Sequence, residues 1–101
     1  MTLYSENITM EKTKIEIEYC TKCHWLARAS WIAQELLSTF SNEIGGITLI
    51  PSDIAGIFEI RCSTKIIWER GKKNGMPEIK ALKQKVRDII APDKDLGHID
   101  N

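Results

Sequence analysis

Two thiols separated by two residues, Cys20-Thr-Lys-Cys23, carry the most evident chemistry in this 101-residue chain. That spacing lets the sulfurs meet within one turn, so a disulfide can form and open again. The signal is weak alone and gains weight where a strand gives way to a helix. Amides at a helix N-terminus carry partial positive charge and stabilise a thiolate. Lys22 and His24 add electropositive groups beside the pair. A lowered thiol pKa supplies more nucleophile at neutral pH and a better leaving group.

The same letters permit other readings. The cysteines could be buried spectators, although strand-to-helix turns are usually exposed. Zinc would need four ligands, and the candidates are Cys20, Cys23, Cys62 and His98. With no second Cys-x-x-Cys and no histidine pair, no metal site is assigned. Cys20-Thr-Lys-Cys23-His24 also spells the attachment motif of c-type haem. Such attachment generally requires export. Residues 1–10 show neither the basic n-region nor the apolar h-region of a secretory signal, and the expected location is the cytoplasm, where thiols stay reduced. No cofactor is assigned, glutathione being the one co-substrate expected.

Other residues near the motif are read against packing roles. Trp25 is either core beside the helix start or an aromatic rim that docks a partner. Trp31 falls off the core stripe and either covers a loop from inside or stands exposed as an interface anchor. Trp68 reads as core or sheet surface. Cys62 alternates with Phe58 and Ile60 and reads as buried and inert. Arg70 to Lys73 form a basic loop, read first as a solvated turn and second as a site for an anionic partner such as glutathione. His98 receives no role.

The elements that position the motif follow from periodicity. Lys-Ile-Glu-Ile-Glu-Tyr over 14–19 alternates, which predicts a strand with one wet face and helices on the other. Leu26, Ala29, Ala33, Leu36, Leu37 and Phe40 predict an amphipathic helix from about Lys22 to Ser41, with Arg28, Gln34, Glu35 and Ser38 on its far side. Asn42 to Gly46 should end it. Short strands are expected over 47–50, 56–62 and 65–69, with Ser63-Thr64 as a tight connection. Ile79, Leu82, Val86, Ile89 and Ile90 mark a second helix, opened by Pro77 as its first residue and stopped by Pro92. The order β-α-β-β-β-α predicts an α+β two-layer, thioredoxin-like domain, with both helices on one face of a four-stranded mixed sheet and the first two strands parallel. Residues 1–12 read as a mobile tail, 13–92 as the domain and 93–101 as a polar tail.

Composition bounds the function. The 14 Lys and Arg balance 14 Asp and Glu, which argues against a nucleic-acid or anionic-membrane partner. No apolar run approaches the roughly 20 residues that span a bilayer. Three cysteines are too few and too odd in number for a disulfide framework.

Several segments in order resemble the Rdx family, the selenoprotein W, T and H group, in a bacterial-type, all-cysteine form. They are Tyr19-Cys-Thr-Lys-Cys-His-Trp25, Arg28-Ala-Ser-Trp-Ile-Ala-Gln-Glu-Leu-Leu37, Gly56-Ile-Phe-Glu-Ile60, Ile67-Trp-Glu-Arg70, Met76-Pro-Glu-Ile-Lys-Ala-Leu-Lys83, Val86-Arg-Asp-Ile-Ile-Ala-Pro92 and Leu96-Gly-His98. The resemblance implies a thioredoxin-like fold and a thiol redox role. It also implies that Cys23 occupies the position where relatives carry selenocysteine, making Cys23 the attacking group and Cys20 the resolving one. Thioredoxin-like geometry by itself points the other way, since it usually exposes the first cysteine. Ile54-Ala55-Gly56 stands where many relatives have paired glycines, and Asn74-Gly75-Met76-Pro77 where an aromatic often precedes the proline.

Two functions are therefore carried forward. One is a thiol–disulfide oxidoreductase acting through Cys20 and Cys23, linked to glutathione or to protein thiols, with Lys22, His24 and Trp25 as flanking binding residues. The other is a non-catalytic protein-binding module that the disulfide switches.

Overall fold

The computed structural model describes residues 12–71 and 75–97. The expected N-terminal tail, apart from Lys12, lies outside those residues, as do Lys72, Lys73, Asn74 and the chain from His98 onward.

Strand β1 (Thr13–Cys20) places Ile15, Ile17 and Tyr19 in the core, and the alternation ends at Cys20, which is buried directly after Tyr19. Helix α1 (Leu26–Thr39) starts later than its periodicity suggests, because residues 21–24 form a separate turn. In that turn the His24 N–H donates to the Thr21 carbonyl at 3.3 Å, and His24 adopts φ 59°. This left-handed residue interrupts the right-handed path, so the helix begins only after Trp25. The cysteine pair thus lies ahead of the helix and not within its first turn.

The buried face of α1 is Ala29, Ile32, Ala33 and Leu36, followed by Phe40. Ile32 belongs to this stripe, while Leu26 and Leu37 are exposed. Leu37 lies about 100° around the helix from Leu36, beyond the reach of the sheet. Glu35 differs from its far-side assignment: it accepts a 2.9 Å hydrogen bond from Lys83 Nζ, a lysine that is only 8% exposed.

Strand β2 (Ile44–Ser52) is longer than the predicted 47–50 and takes in Gly45, Gly46 and Pro51. A Cβ on Gly45 would meet the Lys12 carbonyl oxygen at 2.9 Å, so glycine permits the strands to approach there. Pro51 is tolerated because β2 is an edge strand. Strands β3 (Phe58–Cys62) and β4 (Lys65–Glu69) form a hairpin through Ser63 and Thr64. Helix α2 (Ile79–Ile90) begins two residues past Pro77, because Glu78 is still extended. Its Leu82 and Val86 are fully buried, whereas Ile89 is exposed.

The sheet order is β2-β1-β3-β4, with β1 parallel to β2 and antiparallel to β3. Helix α1 packs on β1 and β2, α2 packs on β4, and the helices touch. Both therefore cover one face, giving the two-layer α+β, thioredoxin-like arrangement read from the element order. The opposite face is polar, organised by Arg61, which donates to Glu59 at 2.7 Å, Glu16 at 3.0 Å and Glu18 at 3.2 Å. Past α2 the chain folds back: Leu96 is buried in the core, and Lys94 Nζ pairs with Glu43 at 3.3 Å.

Candidate functional site

Parallel pairing of β1 with β2 sets the site. Cys20 is the last residue of β1, opposite Ser52 at the end of β2. Its N–H donates to the Ile57 carbonyl at 2.9 Å, and the next N–H, of Thr21, donates to the Ser52 carbonyl at 3.2 Å. The Thr21 hydroxyl reaches that same carbonyl at 3.3 Å. Ser52 Oγ accepts the Ile54 N–H at 3.2 Å, closing the 52–57 loop against the end of β1. The turn at 21–24 then carries Cys23 back over Cys20.

The cysteines differ in access. Cys20 is 1% exposed, and Cys23 is partly exposed. The two thiols lie close enough to act on each other's ionisation, so the pair loses two protons in separate steps. The first, drawn at Cys20, falls below the ordinary thiol range. Its main cause is the hydrogen bond from the Cys23 thiol, assisted by the Gly56 N–H, against a smaller opposing effect of burial. The second, at Cys23, is raised by the Cys20 hydrogen bond and by burial, while the Gly56 N–H and the Arg70 charge act in the lowering direction. The single negative charge belongs to the pair, and access decides which sulfur meets a reactant. Gly56 has φ +75°, a conformation that favours glycine and that turns its N–H toward both sulfurs.

The flanking residues sort differently from their sequence reading. Lys22 and His24 are exposed. Lys22 acts on Cys20 through its backbone N–H. The cation that acts on Cys23 is Arg70, from the end of β4. Arg70 and Gly56 are the two residues that sequence proximity to the motif does not reveal. For Gly56 the available signal was a lone glycine just ahead of an alternating strand, and for Arg70 its place at the edge of the basic loop.

Trp25 is half-buried, with its ring edge-to-face against Phe58 at 6.0 Å between centroids. The Arg70 guanidinium carbon lies 4.9 Å from the Trp25 ring centroid. Trp25 thus both packs on the core and lines the site. Trp31 is 47% exposed on the outer side of α1. With His24, Trp25, Ala27 and Arg28 it borders a shallow cleft of about 450 Å³ next to the motif. Trp68 packs on the core and donates its indole N–H to the Gly75 carbonyl at 3.2 Å.

Cys62 pairs with Ile15 in the β1–β3 register, five residues along β1 from Cys20. At the strand rise this is roughly 16 Å, well beyond disulfide reach. Burial pushes its thiol up. The described residues therefore do not assemble Cys20, Cys23 and Cys62 around one ion, and His98 lies outside them. No group of three or more potential metal ligands occurs among the described residues. No helix among them is long and apolar enough to cross a membrane.

Comparison with known proteins agrees with the segments noted in the sequence. The model of the Rdx family matches residues 14–88. A crystal structure of a selenoprotein W-related protein from Vibrio cholerae is 52% identical, with a TM-score of 0.72 over 76% of this chain and 95% of its own. A crystal structure of a protein from Bordetella parapertussis is 48% identical, with a TM-score of 0.73 over 76% of this chain and 96% of its own. No curated protein matches.

Proposed function

This chain belongs to the Rdx family, and from that membership we propose that it is a thiol–disulfide redox protein in which Cys20 and Cys23 alternate between dithiol and disulfide. The observation that carries the reading is the placement of the two thiols together, Cys20 at the end of β1 and Cys23 in the turn that follows, with the Gly56 N–H acting on both. A thiolate needs a donor to hold its charge, for which the Gly56 amide stands ready, and a disulfide needs a second sulfur close by, which the turn after β1 brings. Cys23, the more accessible sulfur, attacks the oxidant or disulfide partner. Cys20, shielded behind it, resolves the intermediate. Glutathione or protein thiols and disulfides are the reaction partners, in a reducing compartment such as the cytoplasm.

The test is mild oxidation followed by mass spectrometry. The expected product has lost two hydrogens, with Cys20 joined to Cys23 and Cys62 free. A main disulfide containing Cys62, or none at all, overturns the reading.

A second reading is favoured by the cleft beside the motif, which exposed Trp31 and half-buried Trp25 line together with Arg28. Here the protein is a binding module whose partner docks on this aromatic surface and is released or captured when the disulfide closes. A coupled assay separates the two. A catalyst reduces a model disulfide over many cycles, whereas a switch is oxidised once.

A further inference from the structure

Most of the cations that bridge elements of this fold have a carboxylate partner. Arg61 has three, Lys83 has Glu35 and Lys94 has Glu43. Arg70 differs. Among the described residues it forms no ion pair, yet it is neither loose nor remote from the site. Its N–H donates to the Phe58 carbonyl at 2.9 Å, which fixes the backbone at the end of β4. Its guanidinium lies over the Trp25 ring, 4.9 Å from the centroid. A Cβ at Gly56, the residue whose N–H faces both sulfurs, would sit 3.9 Å from Arg70 Nη1. Stacking on an aromatic face holds a guanidinium while leaving its in-plane N–H donors free, and those donors match a carboxylate in a two-pronged fashion.

We propose that Arg70, braced by Trp25, is the specificity-determining residue of the thiol site and selects disulfides whose substituents carry a carboxylate close to the sulfur. This rests on the redox reading above and names the substrate class for the same site. The reaction balances without further reagents. The Cys23 thiolate attacks one sulfur of the disulfide RSSR, forming a mixed disulfide and expelling RS⁻. The Cys20 thiolate then attacks the Cys23 sulfur, closing the Cys20–Cys23 bond and expelling a second RS⁻. The protein loses two hydrogens and two electrons, and the disulfide becomes two RSH. Arg70 holds the carboxylate of the substituent bound to the sulfur under attack and plays no part in bond making.

The experiment measures single-turnover oxidation of the reduced full-length protein by three small disulfides: dithiodiglycolate, which is anionic, hydroxyethyl disulfide, which is neutral, and cystamine, which is cationic. Each rate is divided by that of dithiothreitol with the same disulfide, which removes intrinsic differences in reactivity. The expected order is anionic, then neutral, then cationic, with a preference of about tenfold or more at each end that high salt diminishes. Arg70→Gln should erase the ordering even if it slows all three by changing the thiol. Arg70→Lys, which keeps the charge and loses the planar fork, should retain part of the anionic preference. An unchanged ratio of anionic to cationic rates in Arg70→Gln overturns the proposal and leaves the redox reading standing. Failure of the wild-type protein to react with any of the three overturns both.

Discussion

At the level of single residues, the cysteine pair shows why access and acidity must be treated separately. Burial alone raises a thiol, as at Cys62. At Cys20 the same burial is outweighed by the neighbouring thiol and the turned glycine amide, with smaller help from the backbone amides of Cys23 and Lys22. Nucleophilic attack nevertheless requires contact, and Cys23 is the sulfur that solvent reaches. Two single variants test this division. Iodoacetamide should label Cys23 in Cys20→Ser about tenfold faster than Cys20 in Cys23→Ser. The wild-type pair should label with a rate that rises with pH through a first midpoint below that of an ordinary thiol, because the first ionisation is lowered. Substituting Cys23 by Ala removes the largest stabiliser of the Cys20 thiolate, so the Cys20 midpoint should move up. A fast, low-pH thiol at Cys20 in Cys23→Ser, against a slow one at Cys23, would reverse the assignment of attacker.

At the level of elements, the packing of α1 gives neighbours in the sequence quite different tasks. Leu36 is fully buried against the sheet, so Leu36→Ala should destabilise by about 2–5 kcal/mol in denaturant melts. Glu35 lies a single position away and lacks apolar burial, yet it holds Lys83 of α2 in a half-shielded pair. Removing it leaves a buried ammonium without a carboxylate. Because Glu35 itself is partly in solvent, the cost should stay near 1 kcal/mol, above that of a free surface residue and below that of Leu36→Ala. Replacing Lys83 by Met in the Glu35→Ala background should recover most of that loss. A double variant no better than the single one would show that the pair is not what links the helices.

Across the whole molecule, the two ends of the sheet perform different tasks. One end, where β1 and β2 finish together, carries Cys20 and Cys23, the 52–57 loop and Arg70 just past β4. The other end holds Cys62 and the start of β1, and close to it Glu43 anchors Lys94 of the returning C-terminal segment. Leu96 seals that segment onto the core. Leu96→Ala should therefore cost about 2–3 kcal/mol in a denaturant melt, while leaving the oxidation of the Cys20–Cys23 pair unaltered. A change in oxidation rate after this substitution would mean that the segment reaches the redox site and does not act only on stability.

Much of this protein was legible from local pattern. The alternation over residues 14–19, the stripe of α1, the hairpin turn at Ser63-Thr64 and the cysteine spacing are one-dimensional signals, because each reflects a residue's relation to neighbours a few positions away. They determined the order of elements, and with it a mixed sheet covered on one face, and they located the pair of thiols. What they could not decide is whatever depends on chains meeting across the fold. The late start of α1 arises from a turn tied to Ser52 of another strand. The approach of Gly56 and Arg70 to the sulfurs joins positions 20, 23, 56 and 70, brought together only because β3 lies between β1 and β4. The pairing of Glu35 with Lys83 spans two helices whose faces meet through the sheet below them. Local periodicity reports which side of an element is apolar. Which cation ends beside a thiolate is set by strand order and register, and those emerge only when the sheet is assembled.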